Sequence, residues 1–263
     1  METGKQKFDT LSEDYERHRP RYPDELMRQI ARRTPRRAER HVVDAGTGTG
    51  IALEGLIPLL GPDCRYEAVD LSSDMVATGR RKFPEVRWAV GGAEPFLEQA
   101  VDVDLIVAAQ SFQWMDRPRF LRAARRCLRP GGVVAIIQNN RDFSASAFLD
   151  AYESLLEELS PGYGRHYRSL DFASELREAF SSSGSEVEVA TADWTRPMAA
   201  EDFIGFAKSS TQVQRGLVAH GEVLLDRLAA LVAAHEEDGE LAVPYRSELF
   251  TARVPGADTP DGG

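Results

Sequence analysis

The sequence predicts an α/β fold on a mainly parallel sheet, and three observations carry that expectation. From His41 to about Asn140, short apolar runs alternate with longer amphipathic ones, the rhythm of βαβ units. The first apolar run ends in Gly46-Thr47-Gly48-Thr49-Gly50, so a strand passes through a glycine-rich turn into a helix. The composition is ordinarily globular, 42% hydrophobic and 28% charged, which excludes a disordered or fibrous chain. A chain of 263 residues buries roughly 70–75% of its unfolded surface and needs no disulfide or metal to hold it.

In chain order, strands are expected at 41–46, 65–70, 86–90, 104–109 and 133–139, with helices near 51–60, 72–82 and 117–127. Ser72, Ser73 and Asp74 supply an N-cap and a first-turn acid for the second helix. Pro130-Gly131-Gly132 ends the third and turns the chain into the next strand. After Asn140 the apolar period becomes helical, first through Phe148, Tyr152, Leu155, Leu156 and Leu159, later through Leu224, Leu228, Leu231 and Val232. Breaks at 161–164 and 181–185 separate these from a possible strand at 186–191, and alternation over 243–254 predicts a last strand. The tail has too little apolar surface to fold and is expected to be disordered.

Lys+Arg number 32 against 42 Asp+Glu, a formal charge of −10 that opposes binding to a phosphate backbone. Of the basic residues 28 are arginine and 4 lysine, a skew typical of GC-rich genomes rather than of a recognition surface. The run at 32–40, RRTPRRAER, reads as a solvated connection more readily than as a tether for RNA. Cys64 and Cys127 stand alone, with no metal-ligand spacing, and are expected as reduced thiols in a cytoplasmic protein. The charged N-terminus lacks an apolar signal region, and the longest apolar stretches, 105–109 and 228–234, fall short of a membrane span. The expected partner is therefore a small molecule, with no nucleic acid and no membrane, and the protein a monomer or homodimer.

The glycine turn carries the chemistry. Glycines let backbone N–H groups approach a ligand without obstruction by Cβ. Their spacing is G-x-G-x-G; neither register supplies the last glycine of the dinucleotide fingerprint, and no Gly-Lys-Ser/Thr follows for a phosphate loop. Asp70 ends the next strand and is placed to accept both hydroxyls of a nucleoside ribose. The plain alternative for Asp44 and Asp70 is a strand-end acid that caps a helix or meets an arginine; their register around the glycines favours binding.

Four ordered motifs, VDAGTGTG, VDLS, GGAE and LRPGG, make residues 41–140 resemble a class I S-adenosylmethionine-dependent methyltransferase. The opening FDTLSEDYERHRPRYP, the segment AQSFQW at 109–114 and the final VPYRSELFTAR are similar to the subgroup containing trans-aconitate methyltransferases, so the likeness spans nearly the whole chain. The resemblance implies a Rossmann-like seven-stranded sheet of order 3-2-1-4-5-7-6 with an α-helical cap inserted after strand 5. It also implies S-adenosylmethionine as cofactor and S-adenosylhomocysteine as product. Residues 1–40 would then be an N-terminal helical lid, 41–140 the donor-binding core and 141–240 a helical substrate cap with strand 6. Residues 241–254 would be the last strand and 255–263 the tail.

Carried over residue by residue, the resemblance implies that Asp44 orders the loop and reaches the donor's amino group. Gly46, Thr47, Gly48 and Gly50 would pass beneath its methionine and ribose. Asp70 would hold the ribose hydroxyls, Leu71 pack on the adenine, and Gly92, Ala93 and Glu94 flank it. Gln110 would begin the wall between donor and substrate, and Tyr15 would cover the donor. Two positions depart from the pattern. Gly92 stands where many relatives carry Asp, and Gln113 replaces a His, so the base expected there is lost.

His166 is the remaining base candidate, and Gln113 and Tyr15 complete the catalytic candidates; a lone loop His is also commonly just solvated. Arg19, Tyr22, Trp114 and Tyr163 are candidate substrate contacts, with arginine suited to a carboxylate, although packing would also account for the aromatic rings. The implied activity is methyl transfer to a small molecule in secondary metabolism. Other readings are a protein that binds the donor without methyl transfer or to steer a cyclisation, and an RNA or protein methyltransferase. The acidic balance and the lack of an N/D-P-P-Y/F tetrapeptide disfavour the last.

Overall fold

The computed structural model describes residue 16 and residues 19–166, 170–181 and 185–256. Its strands are β1 (His41–Ala45), β2 (Arg65–Asp70), β3 (Arg87–Val90), β4 (Val103–Ala109), β5 (Leu128–Arg141), β6 (Glu186–Ala199) and β7 (Glu240–Arg253). They form one sheet in the order β3-β2-β1-β4-β5-β7-β6. The first five run parallel, whereas β7 is antiparallel to both β5 and β6. β1 and β4 lie at the centre, covered on both faces, which explains why they read as largely apolar runs rather than alternating ones. At the edge, β6 alternates half-buried and exposed positions.

The helices are α1 (Asp24–Arg33), α2 (Ile51–Leu60), α3 (Ser73–Lys82), α4 (Ala93–Gln99), α5 (Arg117–Cys127), α6 (Ala147–Leu159), α7 (Phe172–Ala179), α8 (Ala200–Lys208), α9 (Thr211–His220) and α10 (Glu222–Ala233). One sheet face packs against α4, α5 and α7, where Phe112, Phe120, Phe172 and Phe250 meet edge to face. The other face packs against α1, α2 and α3. A third apolar cluster joins α6, α8, α9 and α10 to Met198, Leu241, Val243 and Tyr245 at the far ends of β6 and β7.

Several expectations needed adjustment. β5 starts at Leu128 and runs through Pro130-Gly131-Gly132 as strand, with a register shift opposite Val103–Leu105 that absorbs the irregular turn. α4 was not expected: its seven residues are too short for a helical period, and Pro95 sits in its first turn. α1 buries Leu26, Met27 and Ile30 in the sheet's own core. The helices after β5 are divided by β6, with α6 and α7 before it and α8–α10 between β6 and β7. Both cysteines are buried free thiols. Among the described residues no helix is long and apolar enough to cross a membrane, and no three metal-ligating side chains converge. Phe8, Tyr15, Tyr167 and the tail from residue 257 lie outside the described residues.

Candidate active site

The loop after β1 follows from its glycines. Gly46, Gly48 and Gly50 take φ of 67°, 57° and 84°, a region that side chains strain to enter. At Gly46 a Cβ would also lie 2.5 Å from Ser111 Cβ. The Gly46 and Thr47 N–H groups donate to Val69 O at 2.8 and 3.1 Å, fixing the loop against β2.

Asp44 lies directly beneath, fully buried. Thr47 Oγ1 donates to its Oδ2 at 2.7 Å, while Oδ1 has no partner among the described residues. Burial pushes the Asp44 carboxyl up to about 7; the Thr47 hydrogen bond opposes this and the charge of Asp70 adds to it. A buried carboxylate oxygen without a donor fits a cationic amine.

Asp70 is aimed by backbone: Gly48 N–H donates to Oδ2 at 2.8 Å and Ser72 N–H to Oδ1 at 2.9 Å. Held in this way, the carboxylate is oriented to accept from hydroxyls. Leu71 beside it is 48% exposed, an apolar platform left in the open. Gly91 N–H donates to Asp70 O, and Gly92 caps α4. Ala93, however, turns its side chain into the core, and Glu94 Oε1 accepts the Asp116 N–H at 2.7 Å. The GGAE segment therefore presents backbone at Gly91 and Gly92, not the Ala93 side chain.

Gln110 follows β4 with φ of 56°, strained for a side-chain-bearing residue. It is held there by its N–H to Ile137 O at 2.9 Å and by Nε2 to Asn139 O. Gln113 Nε2 donates to Gln110 O at 3.0 Å, and Ser111 Oγ to Ala45 O at 2.7 Å.

Beyond Gln110 a cavity of about 390 Å³ opens at the carboxyl ends of β4 and β5 and the start of β7. It brings together Arg19, Tyr22, Gln110, Gln113 and Trp114, and on its far wall Tyr163 and His166. The His166 ring meets the Phe143 ring edge-on at 5.8 Å. The glycine loop, Asp44 and Asp70 adjoin this cavity without lining it.

Arg21 anchors the chain before α1. Its guanidinium donates to both Glu54 oxygens, at 2.8 and 2.9 Å, and to Glu16. Glu16 in turn meets Lys82 at 2.6 Å and the Thr49 hydroxyl of the glycine loop. Burial raises the Glu16 carboxyl, but Lys82, Thr49 and Arg21 outweigh it and hold the group below its ordinary range. Tyr15, expected over the donor, lies outside the described residues.

The cavity is also lined by charged and polar residues that sequence reasoning missed: Arg141, Glu153, Tyr245 and Glu248. Arg141 Nη2 donates to Glu153 Oε1 at 3.0 Å, and the Tyr163 hydroxyl to Glu153 Oε2. One signal was available: Gln138 to Arg141 are the polar carboxyl end of an otherwise apolar strand, and polar strand ends mark ligand crevices in open sheets.

Comparison with known proteins agrees with this fold. Residues 42–132 match the methyltransferase domain family. An uncharacterized methyltransferase of Mycobacterium tuberculosis is 29% identical over 236 residues, 88% of each chain. A trans-aconitate 2-methyltransferase of Azoarcus sp. is 36% identical over 110 residues, covering 41% of this chain and 43% of that one. A solved structure from Anaeromyxobacter dehalogenans, named for a type II methyltransferase, superposes with a TM-score of 0.68 at 26% identity, covering 91% of this chain and 99% of the other. The strand order, the glycine loop beside two strand-end aspartates and these relatives show a methyltransferase domain over residues 42–132 and a chain similar throughout to S-adenosylmethionine-dependent methyltransferases.

Proposed function

We propose that this enzyme methylates a small molecule held in the cavity beyond Gln110. The observation that carries the reading is the cavity itself: about 390 Å³, within the range for small-ligand sites, and walled by the residue that follows β4. A role in natural-product biosynthesis is the pathway-level part of this reading, and genes neighbouring its own test it.

When bound, S-adenosylmethionine supplies an electrophilic methyl group on a sulfonium. The chain's own residues then have positioning to do. Asp44 would pair with the amino group, Asp70 with the ribose hydroxyls, Leu71 with the adenine face, and Gln110 would form the wall facing the acceptor. In-line transfer of the methyl group from the sulfonium to the acceptor depends mainly on such positioning, which suits a site with Gln113 in place of a base. His166 lines the cavity and is the imidazole available for an acceptor that must lose a proton. Incubation of the enzyme with labelled S-adenosylmethionine and a small-molecule cell extract is expected to yield S-adenosylhomocysteine and a labelled product below protein size. Label found only in protein or RNA, or donor binding without any S-adenosylhomocysteine, would overturn the reading.

A further inference from the structure

The arginine run at 32–40, which reads in sequence as a solvated connection, walls a second cavity. This cavity of about 570 Å³ opens where α1 ends, and five arginines line it: Arg32, Arg33, Arg36, Arg37 and Arg253. Among the described residues no carboxylate lines it. Arg253 arrives through the β5–β7 ladder, opposite Val133, and Pro130-Gly131 close the wall from the start of β5. The cavity therefore lies at the amino ends of the parallel strands. Gly131 and Arg141 are ten positions apart on β5 by their numbers, about 30 Å at the rise of a strand. The arginine cavity is thus separate from the acceptor cavity and from the glycine loop.

Guanidiniums gathered in one concavity repel one another unless each is answered. Two are answered by acids. Arg33 meets Glu188 and, at 3.8 Å, Glu186; Arg37 Nε meets the buried Asp104 Oδ1 at 3.0 Å, and its Nη2 donates to Pro130 O at 2.7 Å. Arg253 Nη2 donates to Arg33 O at 2.8 Å, and the Thr34 N–H and hydroxyl both donate to Ile30 O. These contacts occupy carbonyls at the negative end of α1, which would otherwise attract the arginines themselves. Arg32 and Arg36 are exposed, and neither has a hydrogen bond or an ion pair among the described residues. Their donors are open to a ligand.

Guanidinium pairs bidentately with phosphate oxygens, and the volume is of the size that holds small ligands. A single phosphate concentrates its oxygens at one point. An oligophosphate spreads several charges along a short chain and can meet both arginines. A nucleic-acid backbone is a poorer match, because it continues past the concavity over a chain whose formal charge is −10. We propose that this cavity is a second ligand site, which takes an oligophosphate anion through Arg32 and Arg36, with Arg37 and Arg253 shaping its wall. The inference is independent of the methyltransferase reading, since none of these residues belongs to the donor loop or to the acceptor cavity.

The test titrates the full chain, saturated with S-adenosylhomocysteine to fill the donor site, with tripolyphosphate, orthophosphate, ATP and a uridine decamer RNA; calorimetry reads the affinities. Tripolyphosphate is expected to bind at least about tenfold more tightly than orthophosphate, because two guanidiniums are engaged instead of one. The double substitution Arg32→Gln and Arg36→Gln should weaken it by about tenfold or more, whereas Arg19→Gln, at the acceptor cavity, should leave it unchanged. S-adenosylhomocysteine affinity in each variant reports whether the fold is intact. Should the double variant lose that affinity as well, Arg36→Gln alone, beyond the end of α1, carries the same comparison. ATP separates two sources of the same chemistry: affinity equal to or below that of tripolyphosphate assigns the site to a free oligophosphate, and tighter binding that the same variant loses assigns it to a nucleotide. Tripolyphosphate that fails to bind, that binds no better than orthophosphate, or that binds the double variant as well as the unsubstituted chain would overturn the inference. So would loss of binding in Arg19→Gln, which would place the anion in the acceptor cavity, or a preference for the RNA, which would make this face a nucleic-acid surface instead.

Discussion

Asp44 illustrates how much a single buried carboxyl can report. Its folded-state value of about 7 lies above the ordinary 3.8, because burial disfavours the charge. Between those values the folded protein holds a proton that the unfolded chain has released. The sign of the linkage follows: Asp44 leaves the apoprotein most stable in acid, and its contribution falls as pH rises from about 4 to about 7, then stays flat. A cationic amine beside Oδ1 reverses the preference and drives the proton off. Binding of S-adenosylhomocysteine at pH 6 is therefore expected to release close to one proton, and at pH 8 none, which calorimetry in buffers of different ionisation enthalpy measures. Asp44→Asn should abolish the release at pH 6. Equal proton release at both pH values, or release unchanged in the variant, would remove Asp44 from the amine.

At the scale of elements, the loop between β1 and α2 is the most constrained piece. Gly46→Ala would combine a strained φ of 67° with a Cβ only 2.5 Å from Ser111 Cβ. The strain alone is of order 1–3 kcal/mol, and the contact adds to it. Thermal unfolding and S-adenosylhomocysteine affinity should both suffer, and Ser111→Gly in the same chain should restore part of the loss by removing the contact but not the φ strain. Full recovery, or no loss at all, would show that the loop conformation is not what Gly46 secures. This loop was legible in sequence because its requirement is local: glycines between a strand and a helix, with Asp70 ending the next strand. Arg141 and Tyr245 were not, because they meet only through the β5–β7 ladder, 104 positions apart in sequence by their numbers. No local period encodes that register. α4 was hidden for another reason, since Pro95 and a length of seven residues conceal a helix that packing against α5 and the sheet supports. Ala93 shows the limit of carrying a motif over whole: the segment matched, yet the sheet core claimed its side chain.

For the whole molecule, the two apolar layers on the sheet are complete from α1 onward; Tyr22 packs only at their margin. Among the described residues before α1, Glu16 and Arg21 are held by charge. Arg21 pairs with Glu54 and Glu16, and Glu16 pairs with Lys82 and contacts Thr49 of the glycine loop. Asn139 Nδ2 adds a hydrogen bond to Arg21 O at 3.2 Å. Arg21 is 42% exposed, and an exposed pair contributes only about 0–1 kcal/mol. The segment is thus tied across the glycine loop, yet weakly enough to be removed without unfolding the sheet. We expect a protein lacking residues 1–22 to unfold cooperatively but to bind S-adenosylhomocysteine about tenfold more weakly, roughly 1.4 kcal/mol, and to lose methyl transfer. Transfer suffers more than binding because the cationic sulfonium loses its charge as the methyl departs, a change that exclusion of water favours. The full chain supplies the control by limited proteolysis: cleavage in the first 22 residues and around 161–166 should slow when S-adenosylhomocysteine is added. A truncated protein that retains full donor affinity and full activity, with a digestion pattern indifferent to ligand, would mean that the segment over Thr49 covers nothing that reacts.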